Sequence, residues 1–267
     1  MVRPPAVAGS FYPASPLALR REVEHLTAFP GQPRQAVAVI APHAGYIYSG
    51  RVAGETYRQV QLPDRFVLLC PNHTGRGVPV AIMSEGTWRT PLGDVPIDVA
   101  MAEQLKQASP LFEEDSRAHE REHSLEVHLP FLQCLKPGFS FVPISVGAGD
   151  LPVLKEIGLA IAPVIARSRH PVLIVASTDM THYEPADQAR ELDHRAIAAI
   201  LALDGEQLYQ TVRRFRISMC GYGPTTAALI AARGLGAQTA QLIRYAHSGE
   251  VSGDYQSVVG YAGIVIR

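Results

Sequence analysis

The stretch VAVIAPHAG, residues 37–45, decides the fold. Its first five residues form an unbroken apolar run, which is typical of a strand covered on both faces in a mostly parallel sheet. His43 follows that run almost at once, and FVLLCPNH, residues 66–73, repeats the arrangement and ends on His73. Because the carboxyl ends of parallel strands border the ligand crevice in open α/β sheets, both histidines are predicted to lie at one functional edge.

Working outward from this stretch, apolar runs alternate with segments of helical periodicity, which indicates an α/β fold. The predicted strands are Val37–Ala41, Phe66–Cys70, Val78–Met83, Ser140–Ser145, Pro171–Ala176, Ala240–Tyr245 and Val258–Ile266. The predicted helices are Pro16–Thr27, Ser49–Gln59, Ile97–Gln107, Ser124–Cys134, Leu151–Ala166, Gln188–Leu203, Glu206–Arg213 and Pro224–Ala232. Residues 88–97 are predicted as a β excursion around a turn at Leu92–Asp94.

No repeat or linker divides the chain, so residues 1–267 are predicted to form a single domain. We expect a central mixed, mostly parallel sheet flanked by helices, with antiparallel strands near the carboxyl terminus. A chain with 47% hydrophobic and 18% charged residues is able to bury a large core.

Composition excludes several classes of function. A formal net charge of −1 does not indicate a nucleic-acid-binding surface. No apolar run reaches the roughly 18 residues that a membrane span needs, and the start resembles no secretory signal, so we expect a cytoplasmic protein. Three cysteines without a CxxC pair indicate neither a disulfide framework nor a structural zinc site. Without a P-loop or a dinucleotide-binding glycine motif, no nucleotide cofactor is expected.

Histidines follow four of the predicted strands, since His182 and His247 stand after the strands that end at Ala176 and Tyr245. His43 and His73 are the strongest metal-ligand candidates, because imidazole suits iron, copper, zinc and nickel. The alternative for each is a turn histidine that hydrogen-bonds its own loop.

Cys220 is the candidate third ligand. It precedes a predicted helix, and the positive end of a helix dipole lowers the pKa of a thiol, which favours the thiolate that binds metals. The alternative for Cys220 is a buried, inert thiol. Cys70 and Cys134 are predicted as small core residues.

The segment EHSLEVHLPFL, residues 122–132, is dense in acids and histidines. These groups, His123 and Glu126 among them, are predicted to surround the pocket and orient metal-bound imidazoles; the alternative is a solvated helix start.

After the strand that ends at Ala176, His182 is predicted as a general acid or base, and Asp179 as its orienting partner or as a substrate contact. The alternative there is a turn aspartate beside a loop histidine.

Seven blocks of the sequence resemble the Memo family, whose prokaryotic members are often called system protein B of the AmmeMemoRadiSam group. They are RPPAVAGSFYP at 3–13, APHAGYIYSG at 41–50, PNHTG at 71–75, EHSLEVHLPFL at 122–132, STDMTHY at 177–183, MCGYGP at 219–224 and SVVGYAGIVI at 257–266. The resemblance implies a fold like that of class III extradiol ring-cleaving dioxygenases, which use non-haem Fe(II).

The resemblance also implies a set of site residues. Its metal ligands carry over to His43, His73 and Cys220, and its further pocket residues to Asp179 and His182. The other residues expected around the pocket are His123, Glu126, Asn72, Tyr46 and His247. The third ligand of the dioxygenases is a carboxylate, whereas a thiolate here favours copper or zinc more than a carboxylate would. The expected cofactor is Fe(II), as the resemblance to the dioxygenases implies, or copper.

Two functions follow as hypotheses. The first is metal-dependent redox or dioxygenase-like chemistry on a small substrate. The second is a non-catalytic module that binds a phosphorylated or carboxylated ligand or a protein partner, acting beside a radical-SAM system, as the group name implies. A hydrolytic thiol based on Cys220 and His182 is the weakest reading. Neither a nucleic-acid partner nor a membrane partner is expected.

Overall fold

The computed structural model describes residues 1–30, 32–147 and 149–267. Its strands are β1 (Val2–Arg3), β2 (Ala38–Ala41), β3 (Arg65–Pro71), β4 (Val80–Ile82), β5 (Thr87–Thr90), β6 (Gly93–Pro96), β7 (Glu113–Glu114), β8 (Ser140–Val146), β9 (Val172–Ser177), β10 (His182–Glu184), β11 (Ala240–His247) and β12 (Val258–Ile266).

The α-helices of the described part are α1 (Pro16–Leu26), α2 (Tyr46–Arg58), α3 (Val99–Ala108), α4 (Leu129–Leu135), α5 (Leu151–Ala166), α6 (Ala186–Leu201), α7 (Gly205–Phe215), α8 (Tyr222–Gly234) and α9 (Gly249–Ser252). Two short 3-10 turns cover Ser116–Ala118 and Glu126–His128. None of the described helices combines the length and the apolar character needed to cross a membrane.

The main sheet is mixed, as predicted, with a parallel centre. Its strand order is β10-β12-β2-β9-β3-β8-β4-β7, and β11 pairs with β12 beside that path. The central strands β2, β9, β3 and β8 run parallel to one another, whereas β12 pairs antiparallel with β2, β10 and β11. A separate small sheet has the order β1-β5-β6.

Helices cover both faces of this sheet, and β3 illustrates why its sequence is continuously apolar. Phe66 and Leu68 point into a core shared with α1, α2 and α4, whereas Val67 and Leu69 point into a core shared with α5 to α8. Both sets of side chains are fully buried. Burial on two faces removes the polar alternation of a half-exposed strand, which confirms the interpretation of these runs.

The largest difference from the predicted elements lies at residues 124–134. A 3-10 turn comes first and α4 begins only at Leu129, because Pro130 occupies the first turn of that helix, where its missing N–H costs nothing. Strands β1, β7 and β10 were not predicted, since each has two or three residues and no apolar run. The hairpin turn lies at Pro91–Leu92, one or two residues before the predicted position, and Gly93 already belongs to β6.

The parallel centre of the sheet fixes the position of the site. Strands β2, β3 and β9 end side by side at Ala41, Pro71 and Ser177. The residues that follow them therefore emerge at one edge, which we call the carboxyl edge.

Candidate metal centre

His43 is the buried member of the site, with 2% of its surface exposed. Its main-chain nitrogen donates to Oδ1 of Asp179 at 2.8 Å, and its ring Nδ1 lies 2.7 Å from Oγ of Ser177. Burial, followed by the charges of neighbouring histidines, holds the pKa of His43 well below its usual range. The ring is therefore neutral at physiological pH, which is the form that binds metals.

His73 is the exposed member and is held by a buried carboxylate. Its main-chain nitrogen donates to Oε2 of Glu122 at 2.6 Å, and its Nδ1 lies 2.9 Å from Oε1 of the same residue. Burial alone lowers the pKa of His73, but the hydrogen bond and charge of Glu122 outweigh it and raise the pKa. Burial likewise opposes ionisation of Glu122, yet the His73 contacts bring its pKa down to about 2. The pair therefore fixes the direction of the His73 ring.

His123 completes a group of three imidazoles. Its ring stacks on His73 with centroids 4.8 Å apart and meets the edge of His43 at 5.4 Å. One ligand atom from each ring lies within 4.8 Å of the others, so His43, His73 and His123 could together hold a metal ion. Burial lowers the pKa of His123 and favours its neutral form. The sequence placed His123 around the pocket but did not identify it as a ligand.

Cys220 borders this group, because its Sγ lies 3.3 Å from Nε2 of His43. Gly221 permits the approach, since a Cβ there would lie 2.2 Å from the carbonyl oxygen of Ser177. The expected fall in the pKa of Cys220 is wrong: burial, followed by the carboxylate of Asp179, raises it. In the metal-free protein these two effects outweigh the dipole of α8, which begins just after Cys220.

Asp179 lies in the loop after β9 and His182 is the first residue of β10, but the two do not form the expected pair. Nδ1 of His182 lies 2.9 Å from the carbonyl oxygen of Ser218, so Ser218 and not Asp179 orients the ring. Asp179 instead accepts from His43, and its Oδ2 lies 3.9 Å from Nε2 of that ring. Burial raises the pKa of Asp179 to about 6. The carboxylate thus supports His43 and lies beside the histidine group.

Glu126 does not reach the histidine group, contrary to expectation. Its fully buried carboxylate accepts from the main-chain nitrogens of Ala6 and Val7 at 2.7 and 3.1 Å. It also pairs with Arg3 and accepts from the hydroxyl of Tyr12. Glu126 therefore anchors the amino-terminal segment, and Glu122 is the acid that supports His73, a candidate ligand.

Three other residues expected around the pocket have structural contacts instead. Tyr46 is buried, donates to the carbonyl of Val127 at 2.6 Å and packs on neighbouring aromatic rings. Asn72 shapes the loop around His73, since its Oδ1 accepts from the main chain of Thr74 and Gly75. His247 packs against Tyr255 and is not part of the histidine group found among the described residues.

Sequence reasoning gave Ser177 no role of its own, although its hydroxyl contacts two histidine rings, those of His43 and His128. Its place at the last position of β9 was the available signal, because that position adjoins the end of β2. A serine there looked like one more small residue near a ligand crevice. The hydrogen bonds could not be inferred, since they join segments that are far apart in the chain.

Comparisons with known proteins agree with this architecture. A family model described as "Memo-like protein" matches residues 3–265. A MEMO1 family protein of Methanopyrus kandleri is 46% identical across 100% of this chain and 99% of its own length. A MEMO1 family protein of Methanothermobacter thermautotrophicus is 44% identical across 98% and 99%.

A solved structure supports the fold alone. The crystal structure of an uncharacterized protein from Escherichia coli K12 superposes with a TM-score of 0.58 at 14% sequence identity. The match covers 85% of this chain and 99% of that chain.

Proposed function

We propose that this chain, which belongs to the Memo family, binds one iron or copper ion at the carboxyl edge. The bound metal would support redox or dioxygenase-like chemistry on a small molecule. The observation that carries the proposal is the convergence of four donor side chains. His43, His73 and His123 offer nitrogens within 4.8 Å of one another, and Cys220 offers a sulfur beside His43.

The distance between Cys220 and His43 fits two ligands of one ion. Metal–nitrogen and metal–sulfur bonds are about 2.0–2.1 and 2.3 Å, as in zinc sites, so neighbouring donors on one ion lie about 3.1–3.6 Å apart. The observed separation of 3.3 Å falls inside that interval. We therefore assign His43, His73 and Cys220 as ligands. His123 is a further donor, since its ring nitrogen already lies within 4.8 Å of those of His43 and His73.

Supporting hydrogen bonds favour this assignment. Ligand histidines usually donate their other ring nitrogen to a carboxylate or another oxygen, which orients the ring and raises its basicity. Glu122 makes such a contact to Nδ1 of His73, and Ser177 makes one to Nδ1 of His43. In both rings Nε2 is then left for the metal.

The donor set favours a transition metal of intermediate softness. Imidazole suits iron, copper and zinc, whereas magnesium and calcium prefer a shell of oxygen ligands. A bound metal deprotonates a coordinating thiol outright, so the raised pKa of Cys220 does not exclude a thiolate ligand. We propose iron or copper and not zinc as the bound metal. Zinc supplies Lewis acidity but does not change oxidation state, whereas iron and copper supply both Lewis acidity and electron transfer.

His182, the first residue of β10, has a role in proton transfer, and Asp179 has an electrostatic role. The Ser218 carbonyl can only accept, so Nδ1 of His182 carries a proton and its neutral ring keeps a basic Nε2. His182 is half-buried, and we assign it to take a proton from a substrate hydroxyl and return it. Asp179 holds the main chain of His43 and carries a negative charge beside the ligands above pH 6.

The experiment that tests this function is oxygen uptake by the loaded protein. Purified protein is loaded anaerobically with Fe(II) or Cu(I), mixed with small phenolic and catecholic compounds, and given oxygen. Uptake that depends on metal, compound and His182 supports the proposal. A protein that takes up neither metal would contradict it and favour a module that binds a phosphorylated or carboxylated ligand.

A further inference from the structure

Behind His43, four buried side chains form a continuous hydrogen-bonded chain. The hydroxyl of Tyr57 lies 3.0 Å from Nδ1 of His128, and Nε2 of His128 lies 2.8 Å from Oγ of Ser177. Ser177 in turn lies 2.7 Å from Nδ1 of His43. Each of these residues has at most 2% of its surface exposed. Bulk water therefore does not compete for these hydrogen bonds, and the neighbouring protein atoms determine which atom of each pair donates.

The carbonyl oxygen of Ser124 determines which atom donates in each of these hydrogen bonds. It lies 2.6 Å from Oγ of Ser177, and because a carbonyl only accepts, the single hydroxyl proton of Ser177 points to it. A hydroxyl then has two lone pairs left. The two histidine nitrogens beside Ser177 must both carry protons, since neither can receive one from Ser177.

We infer that Ser177 is a positioning residue that fixes His43 in the Nδ1–H tautomer and leaves the Nε2 lone pair directed at the sulfur of Cys220. The same count fixes His128 in the Nε2–H tautomer, with Nδ1 accepting from Tyr57. In the other tautomer, the unprotonated Nδ1 of His43 would face a lone pair of the Ser177 hydroxyl, so two acceptors would meet. Only a loss of the hydrogen bond from Ser177 to the Ser124 carbonyl would avoid this.

This row of hydrogen-bonded side chains is not a path for protons to solvent. Among the residues that the structure describes, the hydrogen bonds end at Tyr57, which lies in the core and donates its hydroxyl proton to His128. Burial lowers the pKa of His128 to about 3, so this ring stays neutral and cannot relay a positive charge at physiological pH. The geometry therefore serves orientation of His43 and not proton delivery.

The tautomer itself does not depend on bound metal, although its value for ligation rests on the proposed function. The first measurement is a long-range nitrogen–proton correlation spectrum of metal-free protein with isotope-labelled histidine at neutral pH. His43→Gln and His128→Gln variants assign the two resonances. We expect Nδ1–H for His43 and Nε2–H for His128; Nε2–H at His43, or an averaged signal, would overturn the inference.

A variant pair tests the cause. Ser177→Ala should shift His43 to a mixture of tautomers and weaken Fe(II) or Cu(I) binding about 10- to 100-fold, the usual loss when a supporting partner of a ligand is removed. Ser145→Ala is the matched control, since Ser145 is also fully buried on a central strand and, among the described residues, its hydroxyl makes no hydrogen bond to a histidine. An unchanged His43 spectrum in Ser177→Ala would contradict the role of Ser177.

The two proposals fail separately. If the spectra agree with the inference but wild-type protein binds no metal, the proposed function fails and the tautomer assignment stands. If wild-type protein binds metal while metal-free His43 is an Nε2–H tautomer, the inference fails and the metal site stands.

Discussion

Nε2 of His43 lies 3.3 Å from Sγ of Cys220, although 177 residues separate the two in the sequence. His43 follows a central strand, and Cys220 precedes the first turn of α8. The two elements can approach this closely because Gly221 lies against the end of β9. The proposed metal centre therefore depends on a close packing of α8 against the sheet as well as on its ligands.

Gly221→Ala should disturb this packing. The added Cβ would lie 2.2 Å from the Ser177 carbonyl oxygen and 2.5 Å from Cβ of Thr178, so the start of α8 must move. We expect the free energy of unfolding to fall by about 1–3 kcal/mol, the usual cost of overpacking, and metal affinity to fall with it. Chemical denaturation and metal titration measure the two effects.

Gly223→Ala is the control on the same helix. A Cβ at Gly223 would meet Leu154 at 3.4 Å, an ordinary contact, so stability and metal binding should be maintained. Equal behaviour of the two alanine variants would show that close packing at Gly221 is unimportant.

Glu122→Gln should weaken metal binding while leaving the fold intact. The substitution keeps the size of the side chain but removes the charge that orients His73 through Nδ1. Loss of such a partner costs about 10- to 100-fold in metal affinity. Competition with a chelator of known affinity measures the change. Glu120→Gln, at an exposed surface ion pair with Arg76, should bind as wild type does, and a loss of equal size there would refute a specific role for Glu122.

Tyr12→Phe should lower stability without changing the metal centre. Its hydroxyl donates to the buried carboxylate of Glu126, and a hydrogen bond to a charged group contributes about 1.5–3 kcal/mol. The unfolding free energy should fall by about this amount, measured by denaturant titration. Tyr255→Phe, at a tyrosine 51% exposed, should change it by less than about 0.5 kcal/mol. No difference between the two variants would show that the hydrogen bond from Tyr12 to Glu126 does not stabilise the fold.

His182→Gln should retain metal and lose turnover. General acid–base catalysis contributes about 100- to 10,000-fold, so the oxygen-uptake rate of the loaded protein should fall within that range. Metal content serves as the internal control. Turnover at the wild-type rate would remove His182 from the mechanism.

The sequence predicted the parts of this molecule that depend on local pattern. The continuous apolar runs of β2, β3 and β9 indicated strands buried on both faces, and this placed His43 and His73 at a common edge. That inference succeeded because the carboxyl ends of parallel neighbours must coincide.

The parts that failed depend on contacts between distant segments. Glu122 and Glu126 are four residues apart in one motif, yet the first supports His73 and the second binds the amino-terminal segment. The pKa of Cys220 was expected to follow the helix dipole, but burial and Asp179 reverse the sign. Neither the partner of a buried acid nor the solvation of a thiol is encoded in local spacing.

The most direct test of the central claim is the metal content of protein loaded anaerobically with Fe(II) or Cu(I), compared among wild type, His43→Ala, Cys220→Ser and His170→Ala. His170 is an exposed histidine just before β9, at the edge of the sheet opposite the site, so it controls for nonspecific binding to imidazole. We predict that wild type and His170→Ala retain bound metal after desalting, whereas His43→Ala and Cys220→Ser lose it and remain folded by circular dichroism. Equal metal in all four proteins would contradict a metal centre built on His43 and Cys220.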